Sequence, residues 1–135
     1  PYSPEAHLQL TSLMSPGRAF FAEFLGTAIL AFVVFAATDS RNPGAPVSST
    51  APVFIGLTVS VLISVIAPLT QACFNPARDF GPRLFASMAG WGSIALPGLN
   101  DLNWLWVYIV APTAGAIGGA GFHDFLIRPA HPAAK

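Results

Sequence analysis

The sequence predicts an all-α membrane protein: three transmembrane helices and one re-entrant half-helix. Three observations lead there. Only 9% of the 135 residues are charged, where soluble domains carry roughly a quarter. Three runs are long and apolar enough to cross a bilayer, which takes about 20 helical residues. Between the second and third runs, a helix starts that is too short to span.

The first span covers 19–38 (AFFAEFLGTAILAFVVFAAT), and its only charge is Glu23. The second covers 51–72, inside an uncharged run from Ala51 to Phe74. The third covers 104–127. It opens on Trp104, Trp106 and Tyr108, an expected interfacial aromatic belt, and ends near His123, Asp124 and Arg128, where water should return. Asp39-Ser40-Arg41-Asn42-Pro43-Gly44 is a turn-rich loop between the first two spans.

The short helix is expected over 76–89 (PARDFGPRLFASMA). Asn75 is a favoured N-cap, and Pro76 suits the first helical position, where its missing N–H is no loss. At about 1.5 Å per residue this helix covers roughly half to two-thirds of the hydrocarbon. It follows directly on an apolar run, so it reads as re-entrant. A backbone break at membrane depth is tolerated only inside protein or beside a water-filled cavity. A cavity is therefore expected. Small residues spaced four apart also occur on each span: Ala22 and Gly26, then Gly56, Ser60 and Ser64, then Ala111, Gly115 and Gly119. Such stripes let helices approach closely in lipid.

The residues at the tip of the half-helix define a chemistry. Its first N–H groups lack internal partners and carry the positive end of the helix dipole. Asn75 adds amide donors and Arg78 a full cation, so together they repel cations and donate to a passing oxygen. Ala72, Cys73 and Phe74 must run non-helically, leaving their carbonyls free to accept. Donors facing acceptors suit water or a polyol and suit no ion. By itself Asn75-Pro76-Ala77-Arg78 could begin any soluble helix; its position between two spans gives it meaning.

Other features exclude more than they suggest. Net charge is zero and no basic run occurs, so neither nucleic acid nor an anionic surface is an implied partner. No nucleophile–base pair or ligand cluster supports an enzyme reading, and no cofactor or metal is expected. The single cysteine, Cys73, is either a mercurial-sensitive thiol beside the lumen or a buried inert one. His123 and Asp124 are expected at a solvated interface rather than in a proton relay. His7 lies in a polar lead-in and carries no functional reading. Trp91 is expected to anchor the end of the half-helix at the headgroups. The sequence opens Pro1-Tyr2-Ser3-Pro4, without an initiator Met or a signal-peptide layout, which leaves open whether the native chain begins upstream.

From Tyr2 to about Arg128 the chain resembles the second half of the aquaporin and glycerol-facilitator family, the major intrinsic proteins. The run Asn75-Pro76-Ala77-Arg78-Asp79-Phe80-Gly81-Pro82-Arg83 followed by Ala89-Gly90-Trp91-Gly92 carries the resemblance, with support from Phe20–Thr27 and Ala114–Gly119. Asp79 and the lead-in Tyr2–Leu8 resemble the glycerol-conducting branch. The resemblance implies that Asn75, Pro76 and Ala77 form the motif at the pore centre. It also implies that Arg78, Ile63 and Ala72 sit at the selectivity constriction, and that Glu23 accepts hydrogen bonds from amides of the re-entrant loop. Water-only members place His at the position of Ile63; glycerol members place Gly there and an aromatic at that of Ala72. An apolar pair instead implies a hydrophobic wall and leaves the solute open: water, glycerol or another neutral molecule.

Family members are built from two inverted repeats, whereas residues 1–135 hold a single half-aquaporin repeat with no second Asn-Pro-Ala. The pore is expected to be completed by a separate complementary half or by an inverted copy of the chain. Arg18 and Arg83 on one side face Arg41, Arg128 and Lys135 on the other, too little bias to fix one orientation. An inverted pair would join two Asn75 caps and hold two Arg78 constrictions, and the family implies a tetramer of pores. The expectation is a passive pathway for water and small neutral solutes in the plasma (inner) membrane. The alternatives are a dual-topology proton-coupled transporter and a non-conducting subunit or fragment.

Overall fold

The computed structural model describes residues 14–96 and 103–131. The lead-in Tyr2–Leu8 with His7, and Lys135, lie outside the described residues. Among those described, all regular structure is helical: α1 (Pro16–Thr38), α2 (Ala51–Thr70), the short α3 (Pro76–Ala86) and α4 (Asn103–Ala130). With 23, 20 and 28 residues, α1, α2 and α4 are long and apolar enough to cross a membrane.

Local chemistry sets the ends. Ser15 caps α1, its hydroxyl accepting from the Arg18 N–H at 3.3 Å, and Pro16 takes the first turn. The helix therefore starts three residues before the apolar stretch, because a cap is defined by hydrogen bonding and not by hydropathy. α2 stops at Thr70, two residues short of the expected 72. Gln71 there turns left-handed (φ 66°) and donates its N–H to the Ala67 carbonyl. α3 begins at its Asn75 cap as expected, but regular helix ends at Ala86. A wide turn follows through Trp91, broken at Gly90, whose φ of 101° suits a residue without a Cβ. α4 runs unbroken across the expected 104–127 and beyond, with wider turns at Trp106–Val110 and His123–Ile127.

α1 is the hub. It packs most extensively against α4 and next against α2, while α3 leans on the first turns of α4. The small residues act as expected in two of the three helices. Ala111, Gly115 and Gly119 are buried. A Cβ at Gly115 would collide with the Phe24 carbonyl, and one at Gly119 with the Ala28 carbonyl, so the α1 and α4 backbones touch. Gly26 receives the Phe74 ring and the end of Ile66 from α2. Ala22 likewise packs against the small core of Leu62, Ile66, Ala72 and Phe74. The stripe on α2 differs. Gly56, Ser60 and Ser64 are exposed, and both serine hydroxyls donate back to their own helix.

The aromatic belt is only partly a belt. Trp106 is exposed, but Trp104 stacks on Phe80 with ring centroids 6.4 Å apart, and Tyr108 donates its hydroxyl to the Thr70 carbonyl at 3.1 Å. Their spacing placed them near an interface; the arrival of α3 against α4 turned two of them inward.

Gly119→Leu should separate α1 from α4 and cost about 1–3 kcal/mol or more, because the clash is with backbone that cannot rotate away. Thermal unfolding in detergent checks this, and an unchanged midpoint would remove the close approach as a stabilising contact.

Candidate functional site at the tip of the half-helix

Between the end of α2 and the start of α3, the chain reverses through residues 71–75. Gln71, Ala72 and Phe74 have φ of 66°, 50° and 54°, the left-handed region that non-glycine residues rarely adopt. This conformation turns the side chains of Ala72, Cys73 and Phe74 into the bundle, where all three are buried. The amides of Cys73 and Phe74 are also drawn in and need acceptors in a medium without water.

Glu23 supplies them. It is fully buried in the first half of α1. Oε1 accepts from the Cys73 N–H at 2.9 Å and from the Thr70 hydroxyl at 2.6 Å, while Oε2 accepts from the Phe74 N–H at 2.8 Å. The Ala72 N–H donates to the Thr70 oxygen at 3.4 Å, so Thr70 relays the brace one residue further. Nothing in the sequence singled out Thr70, because its partner lies 47 positions away.

Arg78 closes the loop from the other side. Its Nη1 donates to the Ala72 carbonyl at 2.9 Å and the Cys73 carbonyl at 3.1 Å. The expectation that these carbonyls are wholly free therefore needs correction: each has one lone pair engaged and one left. Asn75 accepts at Oδ1 from the Ala77 N–H (2.9 Å) and the Arg78 N–H (3.4 Å), which satisfies two of the helix's orphan donors and holds the side chain at the tip. Pro76 is partly buried, and Asn75, Ala77 and Arg78 lie exposed on the open face of the bundle. Of the other expected constriction residues, Ile63 is partly buried and packs against the core. Ala72 is completely buried, so its methyl faces the core and only its carbonyl is turned toward Arg78. Cys73 is buried as well, with its thiol donating to the Asn75 carbonyl at 3.2 Å.

Further along α3, Arg83 binds Asp79 at 2.7 Å, reaches the Ala95 carbonyl at 3.3 Å and lies over the Trp104 and Tyr108 rings. This ties the outer end of the half-helix to α4.

The opposite end of the bundle corrects another expectation. His123 is not at a solvated interface; it is 1% exposed, between the rings of Phe32 and Phe35 and near His131. Its Nδ1 lies 3.1 Å from Asp124, and its Nε2 lies 3.6 Å from Asp39, to which Arg128 also comes within 3.7 Å. The end of α1 returns over α4 there, which hydropathy alone does not reveal. The Arg41 backbone N–H, donating at 2.9 Å, holds the Asp39 carboxyl below its ordinary value. Partial burial opposes this, and the Arg128 and Arg41 charges add to it. Among the described residues, no group of His, Cys, Asp or Glu is arranged to hold a metal ion.

Three helices long and apolar enough to cross a membrane, with a short helix held beside them by a braced loop, define an integral membrane protein. The comparisons give its family. Residues 3–123 match the major intrinsic protein family, to which the chain belongs. It is 46% identical over 121 residues to a glycerol uptake facilitator of Pseudomonas aeruginosa, an alignment covering 90% of this chain and 43% of that protein. A propanediol uptake facilitator of Citrobacter freundii is 45% identical over 114 residues, covering 84% and 42%. An aquaporin of Laccaria bicolor is 46% identical over 116 residues, covering 82% and 41%. The chain thus spans less than half the length of each of these relatives.

Glu23→Ala should strand the Cys73 and Phe74 amides and cost on the order of 2–6 kcal/mol. Glu23→Gln keeps an oxygen acceptor and should lose distinctly less. Unfolding midpoints of the two variants in detergent decide this, and equal losses would mean that the charge, not the acceptor geometry, holds the loop.

The acid limb tests Asp39. Its folded-state carboxyl ionises below the ordinary value, so its contribution is complete above about pH 4 and is lost as pH falls through the depressed value. Asp39→Asn should be less stable at neutral pH and show a flatter decline below about pH 4. An unaltered acid limb would remove Asp39 as a contributor.

Proposed function

We propose that the chain forms one half of a passive channel for water and small neutral solutes such as glycerol, in the plasma (inner) membrane. The observation that carries this reading is the half-helix tip. Asn75 and Arg78 stand exposed on an open face of the bundle while Glu23 braces the loop behind them, so fixed donors and half-free carbonyls flank the same surface. A fixed cation beside the dipole's positive end opposes cations and hydronium, and the hydrogen-bonding groups replace part of a neutral solute's hydration. The names of the relatives, facilitators for glycerol and propanediol and an aquaporin, support a solute of this kind.

A second half completes the pore in this reading. The exposed α2 stripe of Gly56, Ser60 and Ser64 lies open for a close helix contact. Either a complementary half or an inverted copy of this chain would serve; an inverted pair would set one Arg78 toward each mouth. The assembled pores form a tetramer. The proton-coupled alternative is disfavoured by Glu23, whose two oxygens already accept three hydrogen bonds and which has no exposed surface from which to exchange a proton.

Light scattering on proteoliposomes tests the proposal. Osmotic shrinkage should accelerate with protein present and without any proton gradient, whereas vesicles no leakier than bare lipid would refute conduction. Arg78→Ala should keep water flux and raise proton and cation leak several-fold, because the fixed positive barrier is gone; an unchanged leak would refute its assignment.

A further inference from the structure

Ile63 and Ala72 both withdraw toward the core, so they leave the wall beside Arg78 short of side chains able to select a solute. The residue that stands there instead is Gln71. It closes α2 at φ 66°, a C-terminal position that glycine fills without strain and that a side chain makes costly. Local backbone energetics therefore favour glycine. A glutamine at this point calls for a reason in its side chain.

That side chain is exposed and lines a cavity of about 200 Å3 shared with Thr70, Cys73, Arg78, Asp79, Arg83 and Tyr108. Most polar groups around the cavity are already engaged. Asp79 holds Arg83, the Tyr108 hydroxyl donates to the Thr70 carbonyl, and the Cys73 thiol donates to the Asn75 carbonyl. Arg78 spends Nη1 on two loop carbonyls and keeps its other N–H groups. The Gln71 amide makes no side-chain hydrogen bond among the described residues. The cavity thus offers a guanidinium that can only donate, beside a carboxamide that can also accept. A hydroxyl both donates and accepts, so a solute with neighbouring hydroxyls can use both groups together.

We infer that Gln71 is a specificity-determining residue, acting with Arg78 to favour polyols with adjacent hydroxyls over water at the mouth of the pathway. This rests on the proposed channel function and deepens it. The side chain gives the solute an accepting contact beyond the half-free loop carbonyls, at a wall from which Ile63 and Ala72 have withdrawn.

Two substitutions separate the side chain from the backbone. Gln71→Gly removes the amide while relaxing the left-handed residue; Gln71→Asn keeps an amide and tolerates the same backbone. Glycerol and water permeabilities are measured in parallel on proteoliposomes of the conducting assembly, with unfolding midpoints for each variant. In the Gly variant the midpoint should not fall and water flux should persist. The glycerol-to-water permeability ratio should drop at least threefold, and Asn should restore at least half of it. A Gly variant that conducts water with an unchanged ratio overturns the inference alone. So does a folded Gly variant that loses water and glycerol equally, since that marks a structural role. Should Gly fail to fold, an Asn variant that conducts with no change in ratio from one that shortens further, Gln71→Ser, would overturn it too. A parent protein that passes neither solute overturns the channel reading itself.

Discussion

A helix that begins in the middle of a membrane exposes backbone to a medium that offers no hydrogen bonds. In this protein a buried carboxylate answers that problem: Glu23 on α1 takes the amides of Cys73 and Phe74 and the hydroxyl of Thr70. The bonds are sealed from water, where no solvent competes for the acceptor. They also satisfy the carboxylate, which would be prohibitively costly to bury alone. Donors and acceptor are thus mutually necessary. Neither the left-handed turn nor the buried glutamate would persist without the other.

Much of the remaining architecture follows from that brace. The Phe74 ring packs against α1 at Gly26, which permits this by having no side chain in the way. Once Cys73 and Phe74 face inward, the carbonyls of Ala72 and Cys73 face Arg78, and its guanidinium spans them. Arg78 is thereby fixed in direction as well as in charge. The close approach of α1 and α4 at Gly115 and Gly119 keeps α1, and hence Glu23, from shifting. Rigidity at the tip is a property of the whole bundle, since orienting groups hold a solute's contacts only as firmly as they are held themselves.

The bundle's other end is organised differently. Asp39 gathers Arg41, Arg128, His123 and His131 within 4.0 Å, where α1 ends and α4 passes over it. This cluster fixes the turn that leads into α2. It too centres on one carboxylate, but it is less enclosed: Arg128 and Asp124 retain contact with water.

What the sequence determined by itself was whatever depends on neighbours along the chain. Apolar length gave the three spans, and the Asn75-Pro76 cap placed the start of the half-helix, because caps and spans are decided within a few residues. The resemblance carried by the Asn75–Arg83 run pointed to Glu23 as a loop acceptor and to Arg78 as a lining group. Tertiary structure decided the rest. Thr70 and Tyr108 joined the loop through partners 47 and 38 positions distant. Ala72 turned its methyl to the core because φ is positive there, and His123 became buried because α1 returns over it. Burial and hydrogen bonding between remote segments depend on the direction in which each backbone turns, and hydropathy along a chain carries no record of that direction.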